Sequence, residues 1–383
     1  MDNLTHSLVG LAIAKAGLER ASPAATAVCI VAANAPDADI LTAFYGSWTY
    51  LHHHRGITHS IIGTLALALL IPFLFWIAGW IYARMMREPT WMNFRGLLLA
   101  SLVASASHTL LDWTNNYGVR PLLPLSNERF YGDLVFIVDP FLWLSLGGAA
   151  FLLTAKTKRR AAAWCVLAAF ITAALFVLPT RAGIKYPALS RGLWLVGLIG
   201  LVVAYRARLG RRWGTAIAVI ALALVVVYWA ALSVLHNRAL ARAQSVAAHL
   251  AGQRGETPQR LAAMPVLANP LRWQCVAETE RATFRFDLAL NEKDETVRET
   301  ARYEKPQGTT EELIAQAAKD SRAKVLLDFA RFPVARLDGD CRNRPLVQFA
   351  DLRYTEPGIA RRGNFSLEVP VSCAPQDAES FNR

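Results

Sequence analysis

The chain has 383 residues, 54% of them hydrophobic, with 41 Lys/Arg against 29 Asp/Glu for a formal charge of +12. That length accommodates two ordinary domains. The distribution of charge argues against nucleic acid as the reason for it: residues 1–235 hold nineteen Lys/Arg and nine acids, net +10, gathered in short loops between apolar runs, while residues 236–383 are nearly balanced at +2.

Taken in order, residues 4–18 and 24–35 are small-residue-rich apolar helices separated by Glu19-Arg20-Ala21-Ser22-Pro23. Each is shorter than the roughly 20 residues of a full span, and their Ala and Gly content suits close helix contact. The start lacks the basic stretch of a cleavable signal peptide. A polar insertion follows over residues 36–60. Apolar runs then cover 61–82, 97–111, 137–153, 161–178, 193–205 and 216–235. The most basic loops are 156–160 and 206–212. Placing them in the cytoplasm puts residues 36–60, 112–136, loop 179–191 and the C-terminal region on the opposite face. Arg181, Lys185 and Arg191 make loop 179–191 basic on the wrong side.

The expected fold is an all-α polytopic membrane bundle over 1–235 followed by a soluble α+β domain over 236–383. In the latter, helix is expected over 236–250 and 309–330, and strand over 273–290, 332–337, 346–354 and 365–371, with residues 292–302 as a charged hairpin or exposed strand. Of the five cysteines, Cys29 and Cys165 sit inside apolar runs as small fillers. Cys275, Cys341 and Cys373 leave room for one disulfide and an unpaired thiol if that domain is exported.

The chemistry concentrates in the first 140 residues. Four of eight histidines lie in His52-His53-His54-Arg55-Gly56-Ile57-Thr58-His59-Ser60, at the mouth of an apolar run. Neutral imidazole there suits zinc and similar metals; the alternative is a wet loop touching lipid headgroups. Asp37-Ala38-Asp39 can converge on a metal in a turn, or simply bond nearby backbone amides. His108 and Asp112, four apart on a helix, share a face and are costly in a membrane without a partner; a plain His–Asp hydrogen bond is the other reading. His6 can reach the same rim from the first helix. Asp133 and Asp139 add carboxylates, Asp139 before Pro140 also reading as a helix cap. Arg55, Arg120 and Arg129 would suit an anionic group. The surplus of donors allows two ions, with a free aspartate (Asp37, Asp39 or Asp133) taking the proton from water. No HExxH, nucleophile elbow or P-loop is present.

The motifs Met1-Asp2-Asn3-Leu4-Thr5-His6-Ser7, Asn34-Ala35-Pro36-Asp37-Ala38-Asp39, His54-Arg55-Gly56-Ile57-Thr58-His59-Ser60 and His108-Thr109-Leu110-Leu111-Asp112 together resemble the YdjM-like inner-membrane proteins, over roughly residues 1–140. The resemblance implies a metal-dependent, membrane-bound hydrolase with His6, Asp37, Asp39, His54, His59, His108 and Asp112 as ligands. The expectation is a multi-pass protein of the bacterial inner membrane, its C-terminal domain periplasmic. It would use a divalent metal, zinc first, to cleave an ester or phosphoester of a lipid or envelope molecule. The alternative is a non-catalytic metal-binding scaffold or transporter; no nucleic-acid partner is expected.

Overall fold

A computed structural model describes residues 1–89, 92–181, 183–184, 186–292, 297, 299–339, 345–358 and 365–372. Lys185, Cys341 and Cys373 lie outside the described residues, so the expectations that rest on them are not addressed; Cys275 is a buried free thiol. Among the described residues the fold is mostly helical, with five helices long and apolar enough to cross a membrane and a C-terminal region of antiparallel sheets. It divides into two compact units: residues 1–39, 55–235 and 265–270, and residues 40–54, 236–264 and 271–383.

In the first unit, α1 (Asn3–Lys15) begins where the Asp2 carboxylate accepts from Thr5 N at 2.9 Å, which satisfies an amide with no partner inside the helix. A second short helix, α2 (Ala25–Ala32), stops just before Asn34-Ala35-Pro36, and the chain bends by 47° into a 3₁₀ stretch, Ala35–Tyr45. Gly10 lets α1 approach α2 closely: a Cβ there would come within 2.7 Å of the Cys29 carbonyl oxygen. Spans α4 (Ile61–Met86) and α5 (Phe94–Trp113) follow. The sequence's interruptions in α5 are explained by its inner face, where Gly96, Ala100, Ser101, Ala104, Ser105, His108 and Asp112 are all buried. Along α4 the reverse holds: Leu65, Leu69, Phe73 and Trp80 are exposed, as a lipid-facing band requires.

Asp139 caps α6 (Pro140–Thr154) by accepting from Phe141 N at 2.8 Å and Leu142 N at 3.1 Å, with Pro140 in the first turn. Two further spans, α7 (Lys158–Arg181) and α8 (Ala188–Arg206), and a short α9 (Leu209–Trp213) lead to α10 (Thr215–Gly252). The last apolar run and the helix expected over 236–250 are one continuous element. No Gly or Pro interrupts residues 216–251, so nothing breaks the helix as its composition turns polar.

The second unit contains α3 (Ser47–His53), inside the polar stretch 36–60, and, among the described residues, two sheets. One has the order β1 (Pro258–Val266), β2 (Asn269–Thr279), β3 (Ala282–Ala289), β4 (Glu299–Glu304). The other is β5 (Pro333–Asp338), β6 (Leu346–Asp351), β7 (Ser366–Pro370). The single strand expected over 273–290 is instead a hairpin turning at Glu280-Arg281, pairing Cys275 with Phe286 and Ala277 with Phe284. Likewise the helix expected over 309–330 is two, α11 (Thr309–Ala317) and α12 (Ser321–Phe329), because the Asp320 carboxylate accepts from Arg322 N and starts a new helix. Trp48 of α3 packs on the core formed by Leu313, Leu326, Val347, Phe349 and Val369.

Glu256 joins the β2–β3 turn to β4: Thr279 Oγ1 donates to Oε2 and Arg302 Nη2 to Oε1 at 2.6 Å. Burial pushes its carboxyl upward, but these two donors outweigh that and hold its pKa below the ordinary glutamate value. A depressed folded pKa contributes stability above the unfolded value and loses it as pH falls toward the folded one. Glu256→Gln is therefore expected to flatten the acid-side fall in thermal stability of the second unit below about pH 4.5, as followed by near-ultraviolet circular dichroism; an unchanged profile would contradict it.

Candidate metal centre

Three chain segments bring four donors together in the first unit. Asp37 comes from the 3₁₀ stretch after α2, His59 from a 3₁₀ turn, Ile57–His59, and His108 and Asp112 from successive turns of α5. The His59 turn folds back on α4 because Ser60 caps that helix, donating to the Ile57 carbonyl at 2.8 Å and accepting from Gly63 N at 3.0 Å. Only glycine fits at 63: a Cβ there would overlap the Ile57 carbonyl oxygen.

The separations match a metal polyhedron. His59 Nε2 lies 3.1 Å from His108 Nε2, 3.2 Å from Asp112 Oδ2 and 3.4 Å from Asp37 Oδ1. His108 Nε2 lies 3.5 Å from Asp112 Oδ2 and 3.7 Å from Asp37 Oδ1. With metal–ligand bonds of about 2.0–2.1 Å, the donors of a tetrahedron stand about 3.3–3.4 Å apart. Five of the six edges are thus within a few tenths of an ångström of that value.

Protonation explains why this group could hold a cation. His108 Nδ1 is 2.7 Å from the Ala33 carbonyl, which only accepts, so Nδ1 carries the proton and Nε2 presents a lone pair. His59 Nδ1 faces Thr58 Oγ1 at 3.0 Å and Asp39 Oδ2 at 3.5 Å, which favours the same tautomer. Two lone pairs and two carboxylate oxygens then converge in a buried place, and Asp112 Oδ2 accepts no hydrogen bond. Such a set is repulsive until a cation enters.

The remaining expected residues fall into distinct positions. His6 is buried, its ring stacked on His108 at 3.8 Å between centroids, with Nε2 3.3 Å from Asp112 Oδ1. Asp39 braces the site, accepting from Arg55 N at 2.9 Å. The Arg55 guanidinium is 1% exposed and turned inward: Nη2 donates to Asp112 Oδ1 at 2.9 Å, Nη1 to Asn115 Oδ1 at 2.8 Å, and the group lies over the Tyr117 ring. The Met1 amino nitrogen also contacts Asp112 Oδ1. Arg120 is buried and donates to Asn127 Oδ1 at 3.0 Å; Arg129 is half-buried in the same connection. Asp133 is buried outside the four-donor group, in a segment pinned to the end of α5 by Gly132 N to the Trp113 carbonyl at 2.8 Å. Asp139 is the cap of α6 and accepts from Tyr228 OH at 2.9 Å. His54 belongs to the other unit, where it follows α3 and stacks on Tyr50. The sequence reading did not single out Asn115 or the Ala33 carbonyl. Asn115, three residues beyond Asp112, carried a signal; a backbone carbonyl carries none.

Two outcomes follow. Burial pushes the His59 imidazole down, but the Asp112 and Asp37 carboxylates outweigh it and hold its pKa above the ordinary value. A proton therefore competes with metal over a window reaching above about pH 6.5: metal affinity, read by competition with a chromogenic chelator, is expected to fall steadily as pH is lowered through that window, and a flat profile would contradict it. Arg55→Ala, which strips Asp112 of its buried counter-charge, is expected to weaken metal binding by about 10–100-fold, with Arg55→Lys recovering part of the loss.

The model for the YdjM inner membrane protein family matches residues 1–182. Inner membrane protein YbcI of Escherichia coli (strain K12) is 34% identical over 143 residues, 36% of this chain and 76% of YbcI. Uncharacterized protein YfhP of Bacillus subtilis (strain 168) is 28% identical over 153 residues, 38% of this chain; the chain spans 44% of YfhP's length. No solved structure matches. The matched span contains all four donors together with His6, Asp39 and Arg55, and the chain belongs to the YdjM inner membrane protein family.

Proposed function

We propose that this protein is a membrane-embedded, metal-dependent hydrolase that cleaves an ester or phosphoester of a lipid or envelope molecule. The observation that carries the reading is the near-tetrahedral spacing of His59, His108, Asp112 and Asp37 inside a membrane bundle. Mixed imidazole and carboxylate donors suit zinc. Bound there, a divalent ion would supply Lewis acidity and lower the pKa of water.

The protein's own residues have separable roles. Asp37 is the donor with solvent access, its side chain 11% exposed against 0% for His59, His108 and Asp112. With its Oδ1 in the donor set, its second carboxylate oxygen is the one left to accept the proton that the attacking water loses. Asp39 anchors the Arg55 amide, and the Arg55 guanidinium fixes Asp112. Arg120 and Arg129 add positive charge in the 112–136 connection, which would suit an anionic substrate group. The concentration of Lys and Arg in loops 156–160 and 206–212 supports a periplasmic orientation for the site and for the C-terminal unit.

A second reading has an observation in its favour. Four protein donors can close a tetrahedral site, as in structural zinc centres, which makes a non-catalytic metal scaffold the competitor. A panel of phospholipid, lipid-ester and phosphate-monoester substrates, tested on detergent-purified protein, separates them. Hydrolysis abolished by a chelator, restored by metal and reduced by about 10²–10⁴-fold in Asp37→Asn is expected. Stoichiometric metal with no turnover of any substrate would establish the scaffold instead.

A further inference from the structure

A groove of about 590 Å³ lies among α1, α6, α7 and α8, with an almost wholly apolar lining. Its size is that of a ligand pocket. Along α6 it extends from Trp143 to Phe151 and along α7 from Trp164 to Phe176, about 12 and 18 Å at 1.5 Å per residue. Half of a hydrocarbon core about 30 Å thick is comparable, so the groove has about the length of one lipid acyl chain.

The indole and hydroxyl donors of the lining are spoken for. Three tryptophans face the groove, and each indole N–H is bonded elsewhere. Trp143 Nε1 donates to Thr5 Oγ1 at 3.0 Å and Asp2 Oδ1 at 3.1 Å, Trp164 Nε1 to Thr154 Oγ1 at 2.9 Å, and Trp194 Nε1 to Thr172 Oγ1 at 2.9 Å. Thr172 in turn donates to the Ala168 carbonyl at 2.7 Å. A pocket meant for a polar molecule would offer donors; this one presents ring faces and methyl groups. Space is made by glycine. A Cβ on Gly147 would meet only Leu8 Cδ1, at 3.8 Å, so this position opens onto the groove rather than onto a packed neighbour.

The groove and the metal centre share α1. Leu4 and Leu8 line the groove, whereas His6 between them stacks on His108. At the groove's Trp143 end, the indole holds Asp2 and Thr5, the first turn of that same helix. We propose that this groove is the binding slot for a single hydrocarbon chain, that of the lipid on which the metal centre acts. The substrate role rests on the hydrolase reading; the occupancy of the slot does not.

The test uses full-length protein in nanodiscs containing a phospholipid with a mid-chain diazirine. Photolabelling is expected to map by mass spectrometry to the α6, α7 and α8 residues of the groove. Gly147→Trp, which fills it, is expected to reduce that labelling at least ten-fold while metal content is unchanged; Ala168→Phe on the facing helix checks the same point should the first variant fold poorly. Labelling no stronger in the groove than on the exposed face of α4, or unaltered in both folded variants, would overturn the slot. With labelling established, Gly147→Trp is expected to raise KM for long-chain substrates and leave a short-chain, water-soluble ester unaffected. Equal effects on both would overturn the substrate role, and absence of any turnover would remove the hydrolase reading while leaving the slot standing.

Discussion

An aspartate with no solvent exposure at the end of a membrane helix sets the terms for everything around it. Asp112 has its Oδ1 held by Arg55, with His6 Nε2 beside it, and its Oδ2 turned to His59 and His108. Burying that charge is tolerable only when opposite charge surrounds it. Much of the first unit's local structure can be understood as meeting this need. The Arg55 backbone is held at φ 53°, a conformation uncommon for a residue with a side chain, while its amide is anchored by Asp39 and its guanidinium turns inward. The inner face of α5 is built from small residues, which lets α1, α2 and α4 come close enough to supply the partners.

The metal set extends the same logic. Arg55 neutralises one side of Asp112, leaving the other oxygen, two imidazole nitrogens and the Asp37 carboxylate facing each other. Proteins avoid such convergence of lone pairs unless a cation or a proton fills it. The raised pKa of His59 is the proton's share of that demand. Asp37, on the 3₁₀ stretch, is the most exposed of the four, while the donors from α5 and the 57–59 turn are fully buried.

Much of this was legible in the sequence, and for identifiable reasons. His108 and Asp112 are one helical turn apart in an apolar run, and charge is so scarce there that its presence demanded a partner. His59 stood at the mouth of a span, next to a serine that could cap it. The bundle itself followed from the apolar runs. What escaped notice depends on folding at a distance or on local capping. Arg55 looked like an anion site because an arginine beside histidines invites that reading, and only packing shows its fork already spent on Asp112 and Asn115. Asp139 had two readings from its Asp-Pro pair, and the structure supports the capping one. In the second unit, Glu280-Arg281 and Asp320 each break an element that periodicity alone carries straight through, since a tight turn and a side-chain cap leave little trace in hydrophobic pattern.

The division of labour within the first unit is physical as well. The four candidate donors lie on α5 and the turns beside it, next to the first turn of α1, while α6, α7 and α8 line an apolar groove whose indole donors are all internally bonded. The central claim is that His59, His108, Asp37 and Asp112 hold an ion. Its most direct test is metal analysis of the intact purified protein together with X-ray absorption spectroscopy. The account predicts a first shell with two imidazole nitrogens and at least two oxygen donors at about 2.0–2.2 Å. A spectrum with sulfur ligands, or a six-coordinate shell without imidazole scattering, would contradict it.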